Sequence, residues 1–507
     1  MLSQFEGKQQ PESTNQNMSV INSTTNTVSS EAPEPQPLQI ISPADYSVSS
    51  EQVVDATNTA LLRALKSAGV QFVRYVTVDS SNNTRSKAVP LKRLLKSNKL
   101  DNQVTIAEVC YGGLPAYSDA MVSGSTVDAR RVLVVKPDMS TLQVLPYASK
   151  TAMVMGSVHD AHTNKVSSLC TRGLLARVLE TGANNHAIAF QVGAELEFSL
   201  VRDVGDLYDE GQLPKPIDSS VFGNTTTLND QEEFISNLYQ QLEEQDIEIE
   251  LVHAESAPGQ MEVVLAYQTD VMKLADNVVF ARETIRSVAR AHKLRALFLP
   301  KINAMQAGNG LHLHFSFRDL NSTNPKENAF SSKDQPGVAS QKGGAFVEGI
   351  LEHLPSLLAL TTPSTNSFRR LGKGCWTGHT VSWNTEDKEV PLRVCLDLES
   401  GDASNVELKL SDSMANIHLA LGAVLSAGLN GIVGDLTLRP SSDEAKNSTP
   451  LPTTLPESLE KLRNNTLLNS VLGVALVTNY VALRSAEAEF TSKSTLEEEV
   501  VNAYNKA

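Results

Sequence analysis

The sequence predicts an α+β fold in which a small, sheet-rich amino-terminal part precedes a larger part of mixed helices and strands. Short strand patterns separated by polar turns dominate the chain before residue 160. After that residue, long helical patterns are interspersed with short apolar strands, and this mixture favours an antiparallel sheet. A chain of 507 residues is long enough to hold both parts.

The amino-terminal part follows a polar segment. Residues 1–50 are rich in Ser, Thr, Asn, Gln and Pro, and we expect a disordered tail because they bury too little apolar surface to offset their ordering entropy. An amphipathic helix is predicted over 53–65 and an alternating strand over 72–79. The segments SKAVP, RVLVVKP and TLQVLP predict further strands, so we place an amino-terminal domain at residues 51–160.

The larger part, residues 161–507, contains several long helical and short strand patterns. The helices are predicted at 169–181, 230–245, 268–292, 339–359 and 413–431. The strands are predicted at 188–201, 248–253, 260–266, 296–300, 310–317, 380–384, 391–397 and 405–410. A Ser-, Thr- and Pro-rich loop insertion is expected over 434–456, followed by a helical tail.

Charge and composition argue against several classes of function. A net charge of −15 and an isoelectric point near 5.2 disfavour a protein that binds nucleic acid or an anionic membrane. No apolar run approaches a membrane span, and the amino terminus lacks the layout of a secretory signal. Because no arginine precedes Arg63, a mitochondrial presequence is also disfavoured. The four cysteines form no CxxC pair, which suits a reducing compartment. We therefore expect a cytoplasmic protein.

The stretch GNGLHLHFSF, at residues 308–317, places two imidazoles in a short apolar strand. Because alternate residues of a strand share a face, His312 and His314 project together, away from Leu311 and Leu313. Taken alone, the pair is most simply interpreted as two half-exposed histidines on an edge strand.

Three further apolar segments carry acidic residues on one strand face. The acidic residues are Glu195 and Glu197 in GAELEFSLV, Glu255 and Glu262 in VHAESAPGQMEVVL, and Glu407, beside Lys409, in NVELKL. One such strand is most often a solvated sheet face. An unpaired buried carboxylate costs several kcal/mol, and a neighbouring like charge raises that cost.

If these acidic strands converge with the histidines, divalent cations would compensate the accumulated negative charge. The ligand set is rich in oxygen, poor in nitrogen and free of sulfur, so it favours Mg²⁺ or Mn²⁺ over structural Zn²⁺. Hard metal ions beside cationic side chains usually handle phosphate. Competing motifs are missing from the sequence: there is no GxxxxGK[ST] loop and no HExxH, and no PCxxC follows the HAE at 253–255.

Six blocks, in this order along the chain, resemble the glutamine synthetase family. They are GAELEF, HAESAPGQMEV, LPKINAMQAGNGLHLHFSF, PSTNSFRRLGKG, VPLRV and NVELKLSDSMANIHLALGAVLSAGLNGI. The stretch GKGCWTGHTVSW is most similar to the FluG-like branch of that family. The resemblance implies a β-grasp-like domain at 51–160, a catalytic domain at 161–507, and a ring-shaped homo-oligomer with active sites between subunits.

The resemblance also implies roles for individual residues. The first metal site would be formed by Glu197, Glu255 and Glu262, and the second by Glu195, His312 and Glu407. His314 would face the ATP phosphates, and Ser316 would lie close to the nucleotide. Gly308 and Arg370 match positions that hold the amino and carboxylate ends of glutamate, and Arg393 matches a phosphate-facing arginine.

The sequence departs from the family on the substrate side. Trp376 aligns with the flap glutamate that helps to form the ammonium pocket, and Ala307 with a loop asparagine. Lys388 and Lys409 replace two phosphate- or substrate-side arginines, which keeps the charge but loses the bidentate fork. Asn405 replaces a third arginine near the nucleotide.

The resemblance therefore predicts an ATP-dependent glutamate–amine ligase that uses two or more Mg²⁺ or Mn²⁺ ions. It would form glutamine or a γ-glutamyl amide through γ-glutamyl phosphate, from glutamate and either ammonia or a small organic amine. Trp376 would either cover the amine or pack as a loop residue. For the amino-terminal base, Asp119 is only a weak candidate. The alternative function is a catalytically inactive scaffold or signalling protein.

Overall fold

Two β-sheets organise the fold, one within residues 72–160 and the other within residues 188–408. The computed structural model describes residues 38–40, 55–101, 103–207, 212–324, 326–332, 334–445 and 448–507. The predicted tail lies outside these ranges apart from residues 38–40. Within that short piece, Leu38 is buried in the hydrophobic core, so the expectation of disorder is wrong there.

The first sheet has six strands in the order β2–β1–β6–β4–β3, and β5 pairs with β6. The strands are β1 (Phe72–Val78), β2 (Thr84–Pro90), β3 (Val104–Ala107), β4 (Val132–Pro137), β5 (Gln143–Val144) and β6 (Thr151–Asp160). The sequence pattern does not predict β6, because its residues are buried on both faces and so do not alternate. β6 nevertheless lies near the middle of the sheet and pairs parallel with β1.

The second sheet has eight strands in the order β12–β13–β14–β11–β7–β9–β8, and β10 pairs with β7. The strands are β7 (Ile188–Arg202), β8 (Ile249–Ala254), β9 (Gln260–Gln268), β10 (Leu294–Leu297), β11 (Leu311–Asp319), β12 (Trp383–Thr385), β13 (Leu392–Leu396) and β14 (Ala403–Leu408). All neighbours except β12 and β13 run antiparallel, which confirms the predicted sheet type.

Helices surround the sheets. They are α1 (Asp55–Ser67), α2 (Leu91–Ser97), α3 (Glu108–Gly112), α4 (Thr171–His186), α5 (Thr225–Asp230), α6 (Glu232–Glu243), α7 (Val271–Ala291), α8 (Gln341–Thr361), α9 (Thr365–Arg370), α10 (Ile417–Val433), α11 (Leu455–Arg463), α12 (Thr466–Leu472), α13 (Val474–Thr491) and α14 (Leu496–Lys506). The five long helices predicted in the larger part are present, with their ends shifted by a few residues. The short helices α2, α3, α5 and α9 are too brief to show a helical period in the sequence.

Among the described residues, no single helix is long and apolar enough to cross a membrane. One bent pair, α12 with α13, meets the length and composition criteria only when its two helices are taken together, and the break between them bends by 106°.

Candidate active site

Side chains from three neighbouring strands of the second sheet meet on one of its faces. Residues directly opposite each other on paired strands point to the same side, so strand register brings distant parts of the chain together. His312 on β11 lies opposite Glu195 on β7. Glu197, two residues further along β7, lies opposite Glu262 on β9. The structure therefore makes the acidic strands and the histidine strand converge.

Glu407 on β14 completes one group of possible metal ligands. One ligand atom from each of Glu195, His312 and Glu407 lies within 4.8 Å of the others. His312 Nδ1 is 2.9 Å from Glu195 Oε2 and 3.4 Å from Glu407 Oε1. These are the three residues that the resemblance assigns to the second metal site, and the structure brings them together.

The other predicted group, Glu197, Glu255 and Glu262, is spread over two overlapping clusters. Glu197 and Glu262 cluster with His312, whereas Glu255 and Glu262 cluster with His253. His312 Nε2 lies 3.4 Å from Glu197 Oε1, and His253 Nε2 lies 3.2 Å from Glu262 Oε1. Glu262 thus belongs to both clusters and connects Glu255 to the rest of the site.

This carboxylate cluster, formed by the six predicted metal ligands, brings Glu197, Glu255 and Glu262 close enough for their carboxylates to repel one another. Burial, together with nearby Glu197 and Glu262, raises the pKa of Glu255 to about 7. Burial also raises the pKa of Glu197, against the opposing effect of His312. A bound cation would relieve this repulsion because it favours the ionised carboxylates. The oxygen and imidazole donors fit Mg²⁺ or Mn²⁺.

Two cationic side chains border the carboxylate cluster at Glu407. Arg393 Nε lies 2.7 Å from Glu407 Oε2, and Lys409 Nζ lies 2.7 Å from Glu407 Oε1. The side chain of Glu407 is only 1% exposed, so both ion pairs are shielded from water. An arginine and a lysine next to clustered oxygen ligands form an arrangement that can bind a phosphate group.

His314 lies beside this cationic border. Its Nε2 is 3.0 Å from Glu195 Oε1, and its Nδ1 is 2.8 Å from Asn405 Oδ1. Burial lowers the pKa of His314, but hydrogen bonding to Cys395 and Glu195 outweighs burial and holds that pKa well above its usual value. Asn405, at the position where the family has an arginine, thus contacts the predicted phosphate-facing histidine.

Gly308 lies in a crowded turn shortly before β11. A Cβ at this position would be 2.2 Å from Pro300 O and 2.9 Å from Arg370 Cγ, so a larger residue requires the backbone to move. Gln260 Nε2 donates to the carbonyl oxygen of Gly308 at 3.2 Å and to Glu197 Oε2 at 2.7 Å. Gln260 therefore connects the predicted glutamate-binding turn to the carboxylate cluster.

Arg370 is buried behind this turn. Its Nη2 donates to the carbonyl oxygens of Lys409 and Ser411, at 3.0 Å and 2.8 Å. Its Nε has no hydrogen-bond partner among the described residues. The backbone contacts orient the guanidinium and leave one donor free for a ligand. Its role in holding the glutamate carboxylate remains a prediction.

Trp376 lies on an exposed loop with a left-handed backbone, φ +60°. The backbone N–H groups of Gly374 and Trp376 both donate to the Glu389 carboxylate at 3.2 Å, which stabilises this turn. The ammonium group of Lys388 lies 5.7 Å from the centre of the Trp376 ring. Within the described part of the chain, Lys388 forms no ion pair with the carboxylate cluster. Asp119 and Ala307 are exposed loop residues.

Sequence reasoning missed three residues that support the site. His253 pairs with Glu262 and also lies 3.6 Å from Glu255, Gln260 binds Glu197, and the Tyr267 hydroxyl donates to Ser316 Oγ at 2.9 Å. The i, i+2 spacing of His253 and Glu255 was the available signal. No local pattern identifies Gln260 or Tyr267, because their roles arise from strand pairing.

The fold and the carboxylate cluster indicate the class of protein: an enzyme that handles phosphate groups with divalent metal ions. Comparison with known proteins identifies the family. The model described as "Glutamine synthetase, catalytic domain" matches residues 168–503. The chain belongs to the glutamine synthetase family.

Relatives and solved structures agree with this membership. The chain is 30% identical over 454 residues to the gamma-glutamylpolyamine synthetase GlnA3 of Streptomyces coelicolor, covering 85% of this chain and 92% of the relative. It is 26% identical over 457 residues to type-1 glutamine synthetase 1 of Dictyostelium discoideum, covering 86% and 89%. A solved GmaS/ADP complex matches with a TM-score of 0.72 at 25% identity, covering 86% of this chain and 97% of that one.

Family membership confirms the predicted enzyme class, an ATP-dependent ligase that joins glutamate to ammonia or an amine. It also supports the use of ATP and divalent metal ions, which is general in this family. Assignment to the FluG-like branch remains a prediction.

Proposed function

We propose that this protein is an ATP-dependent γ-glutamyl ligase whose second substrate is a small organic amine. The observation that carries the ligase assignment is the convergence of Glu195, His312 and Glu407, with Arg393 and Lys409 bound to the last of these. This arrangement combines metal ligands and phosphate-binding cations, which are the two requirements of phosphoryl transfer from ATP.

The proposed reaction has two steps. An oxygen of the glutamate γ-carboxylate attacks the γ-phosphorus of ATP, the bond to the ADP oxygen breaks, and γ-glutamyl phosphate forms. The amine nitrogen then attacks the acyl carbon, inorganic phosphate leaves, and the nitrogen loses a proton to form the amide. The six predicted ligands, Glu195, Glu197, Glu255, Glu262, His312 and Glu407, would hold Mg²⁺ or Mn²⁺, which would offset the negative charge of the phosphate groups.

The chain's own residues orient these reactants. Arg393 and Lys409 each bind Glu407, and His314 lies opposite Glu407 in the sheet, so these three residues would bind the phosphate groups. Gly308 and Arg370 would hold the two ends of glutamate, and Gln260 connects Gly308 to Glu197. Removing one charge-stabilising contact in such a site costs about 2.7–4 kcal/mol by analogy with oxyanion donors.

The flap loop supports an organic amine over ammonia. Trp376 presents an exposed aromatic ring where the family has a carboxylate, and this ring offers apolar contact area to an alkyl or aryl group, which ammonia lacks. The ammonium group of Lys388 lies 5.7 Å from the centre of the same ring, so an amine substrate would share this surface with Lys388. The similarity to a gamma-glutamylpolyamine synthetase agrees with this choice.

The test is a phosphate-release assay of the full chain with ATP, Mn²⁺ and glutamate, in which ammonia, methylamine, ethanolamine, putrescine and benzylamine are compared. We expect at least one amine to exceed ammonia at least tenfold in kcat/KM, with the amide detected by mass spectrometry. Trp376→Ala should lower kcat/KM for that amine, whereas Trp376→Phe, which keeps an aromatic face, should retain most of it.

Two other outcomes are informative. A preference for ammonia would show that the amine proposal is wrong but leave the ligase intact. If neither wild type nor Glu407→Gln releases phosphate with any of these substrates, the result would favour the inactive scaffold. We also propose that the enzyme is cytoplasmic. We further propose that it forms a ring-shaped homo-oligomer, whose mass size-exclusion chromatography with light scattering would measure.

A further inference from the structure

A cavity of about 680 Å³ lies apart from the carboxylate cluster, and no residue of that cluster lines it. Its wall is formed by the β1–β2 turn, helices α7 and α13, the segment after β10 and the loop after β14. One buried arginine, Arg282, and one half-buried arginine, Arg286, extend from α7 into this cavity.

Arg282, on α7, is 6% exposed and lines the cavity. No carboxylate among the described residues lies within ion-pair distance of it. Its one hydrogen bond is a long contact of 3.4 Å from Nη1 to Asn82 Oδ1, and its Nε has no partner. Burying a charge without a partner is costly, so a guanidinium in this state is expected to receive an anion from elsewhere.

Three acidic residues that line the cavity each bind another arginine, and among the described residues neither these three nor the nearby Asp412 lies within ion-pair distance of Arg282, although Glu283 and Asp412 act on it electrostatically. The pairs are Glu283 with Arg286 at 3.1 Å, Glu487 with Arg484 at 2.7 Å, and Glu499 with Arg369 at 3.1 Å. Burial and nearby Arg286 lower the pKa of Arg282 to about 9, which leaves the guanidinium charged at neutral pH.

Arg286, one helical turn along α7, faces the same cavity and also has an unpartnered Nε. The guanidinium carbons of Arg282 and Arg286 lie 5.6 Å and 5.1 Å from the centre of the Phe298 ring. An aromatic face holds a guanidinium by its plane and leaves its N–H edge free for a carboxylate or phosphate. Ser413 Oγ, at the cavity wall, is a third group without a partner.

We propose that this cavity is a second ligand site, which binds a small anion carrying a carboxylate or phosphate group through Arg282 and Arg286. The site is separate from the proposed reaction. Two cavity-lining residues are close in sequence to residues of the proposed active site, so an anion bound in the cavity could influence that site through the connecting backbone. Phe298 lies ten residues before Gly308, and Ser413 lies four residues after Lys409.

The test measures thermal unfolding and calorimetric binding of the full chain with inorganic phosphate or succinate, and with potassium chloride at equal ionic strength. No ATP, metal or glutamate is present, so the result does not depend on the ligase proposal. We expect saturable stabilisation by phosphate, succinate or both, but not by chloride. The responding anion distinguishes a phosphate-bearing from a carboxylate-bearing ligand.

Variants locate the binding. Arg282→Met should weaken the anion's affinity at least tenfold, and Arg393→Gln, at the phosphate side of the active site, should leave it unchanged. Without anion, Arg282→Met should be at least as stable as wild type, because it removes an uncompensated buried charge while keeping the side-chain length.

Two results would overturn the proposal. One is a stabilisation that Arg393→Gln abolishes and Arg282→Met preserves, which would place the anion in the active site. The other is the lack of any phosphate or succinate response together with a less stable Arg282→Met, which would give Arg282 a purely structural role.

Discussion

Gly310 lies beside two of the predicted metal ligands, His312 and Glu197. A Cβ at this position would be 2.6 Å from His312 Nε2 and 2.9 Å from Glu197 Oε1, closer than real side-chain contacts allow. Both groups would have to move, although they belong to a site whose ligands must be held within fractions of an ångström. The lack of a side chain at Gly310 therefore leaves the space that His312 and Glu197 occupy.

We predict that Gly310→Ala lowers Mn²⁺ affinity at least tenfold, measured by calorimetry, with a parallel loss of phosphate release. The matched control is Gly344→Ala in α8, where the nearest atom to the new Cβ, Leu438 Cβ, is 3.3 Å away. That variant should bind Mn²⁺ as wild type does. Equal affinity in the two variants would show that the space at Gly310 has no role in metal binding.

At the scale of secondary-structure elements, Asp276 on α7 connects three helices. Arg172 on α4 binds it with Nη2 at 2.7 Å, and His418 on α10 binds it with Nε2 at 2.8 Å. All three residues are buried. Burial alone would raise the pKa of Asp276, but Arg172 and His418 outweigh burial and lower it.

The sign of the pH dependence follows from this shift. A carboxyl with a folded-state pKa below its unfolded value stabilises the fold above the unfolded value, and this contribution is lost as the pH falls through the folded value. We predict that Asp276→Asn lowers the free energy of unfolding by about 3–5 kcal/mol at pH 7, because Arg172 loses its most buried partner. The deficit should shrink below about pH 4, where the carboxyl of the unfolded wild-type chain starts to protonate, and should disappear as the pH falls through the lower folded-state pKa.

Urea denaturation at several pH values checks this prediction. The control is Asp246→Asn, which removes an exposed pair with Lys273; Asp246 is 88% exposed at its side chain. That change should cost about 0.5 kcal/mol or less. A pH-independent deficit in Asp276→Asn would mean that packing, not charge, makes Asp276 important.

At the scale of the whole molecule, ligand binding distinguishes an enzyme from an inactive scaffold. A ligand that binds only the folded state stabilises it by about 2.7 kcal/mol at one hundred times its dissociation constant. We therefore predict that Mn²⁺ with ATP raises the unfolding temperature of wild type and that Glu407→Gln reduces this rise. Absence of any rise in wild type would support the scaffold alternative, which the loss of family arginines at Lys388, Lys409 and Asn405 and of the flap glutamate at Trp376 favours.

Local pattern was sufficient for much of the fold and for singling out the acidic strands and the histidine pair, whereas the roles of individual residues came from the resemblance to the family. The α+β class, the antiparallel second sheet and most long helices follow from apolar periodicity, which each segment carries by itself. Strand β6 is the informative failure: it is buried on both faces, so its sequence shows no alternation. Leu38 is another, because the apolar residues of LQII are too few, within a polar segment, to predict burial.

The sequence by itself determined which side chains share a strand face, such as Glu195 with Glu197 and His312 with His314, because alternation along a strand is local. Only the tertiary structure decided which faces meet: the register that sets His312 opposite Glu195, the sharing of Glu262 between two clusters, and the unpartnered charge of Arg282. Pairing and burial depend on residues far apart in the chain, so no local pattern encodes them.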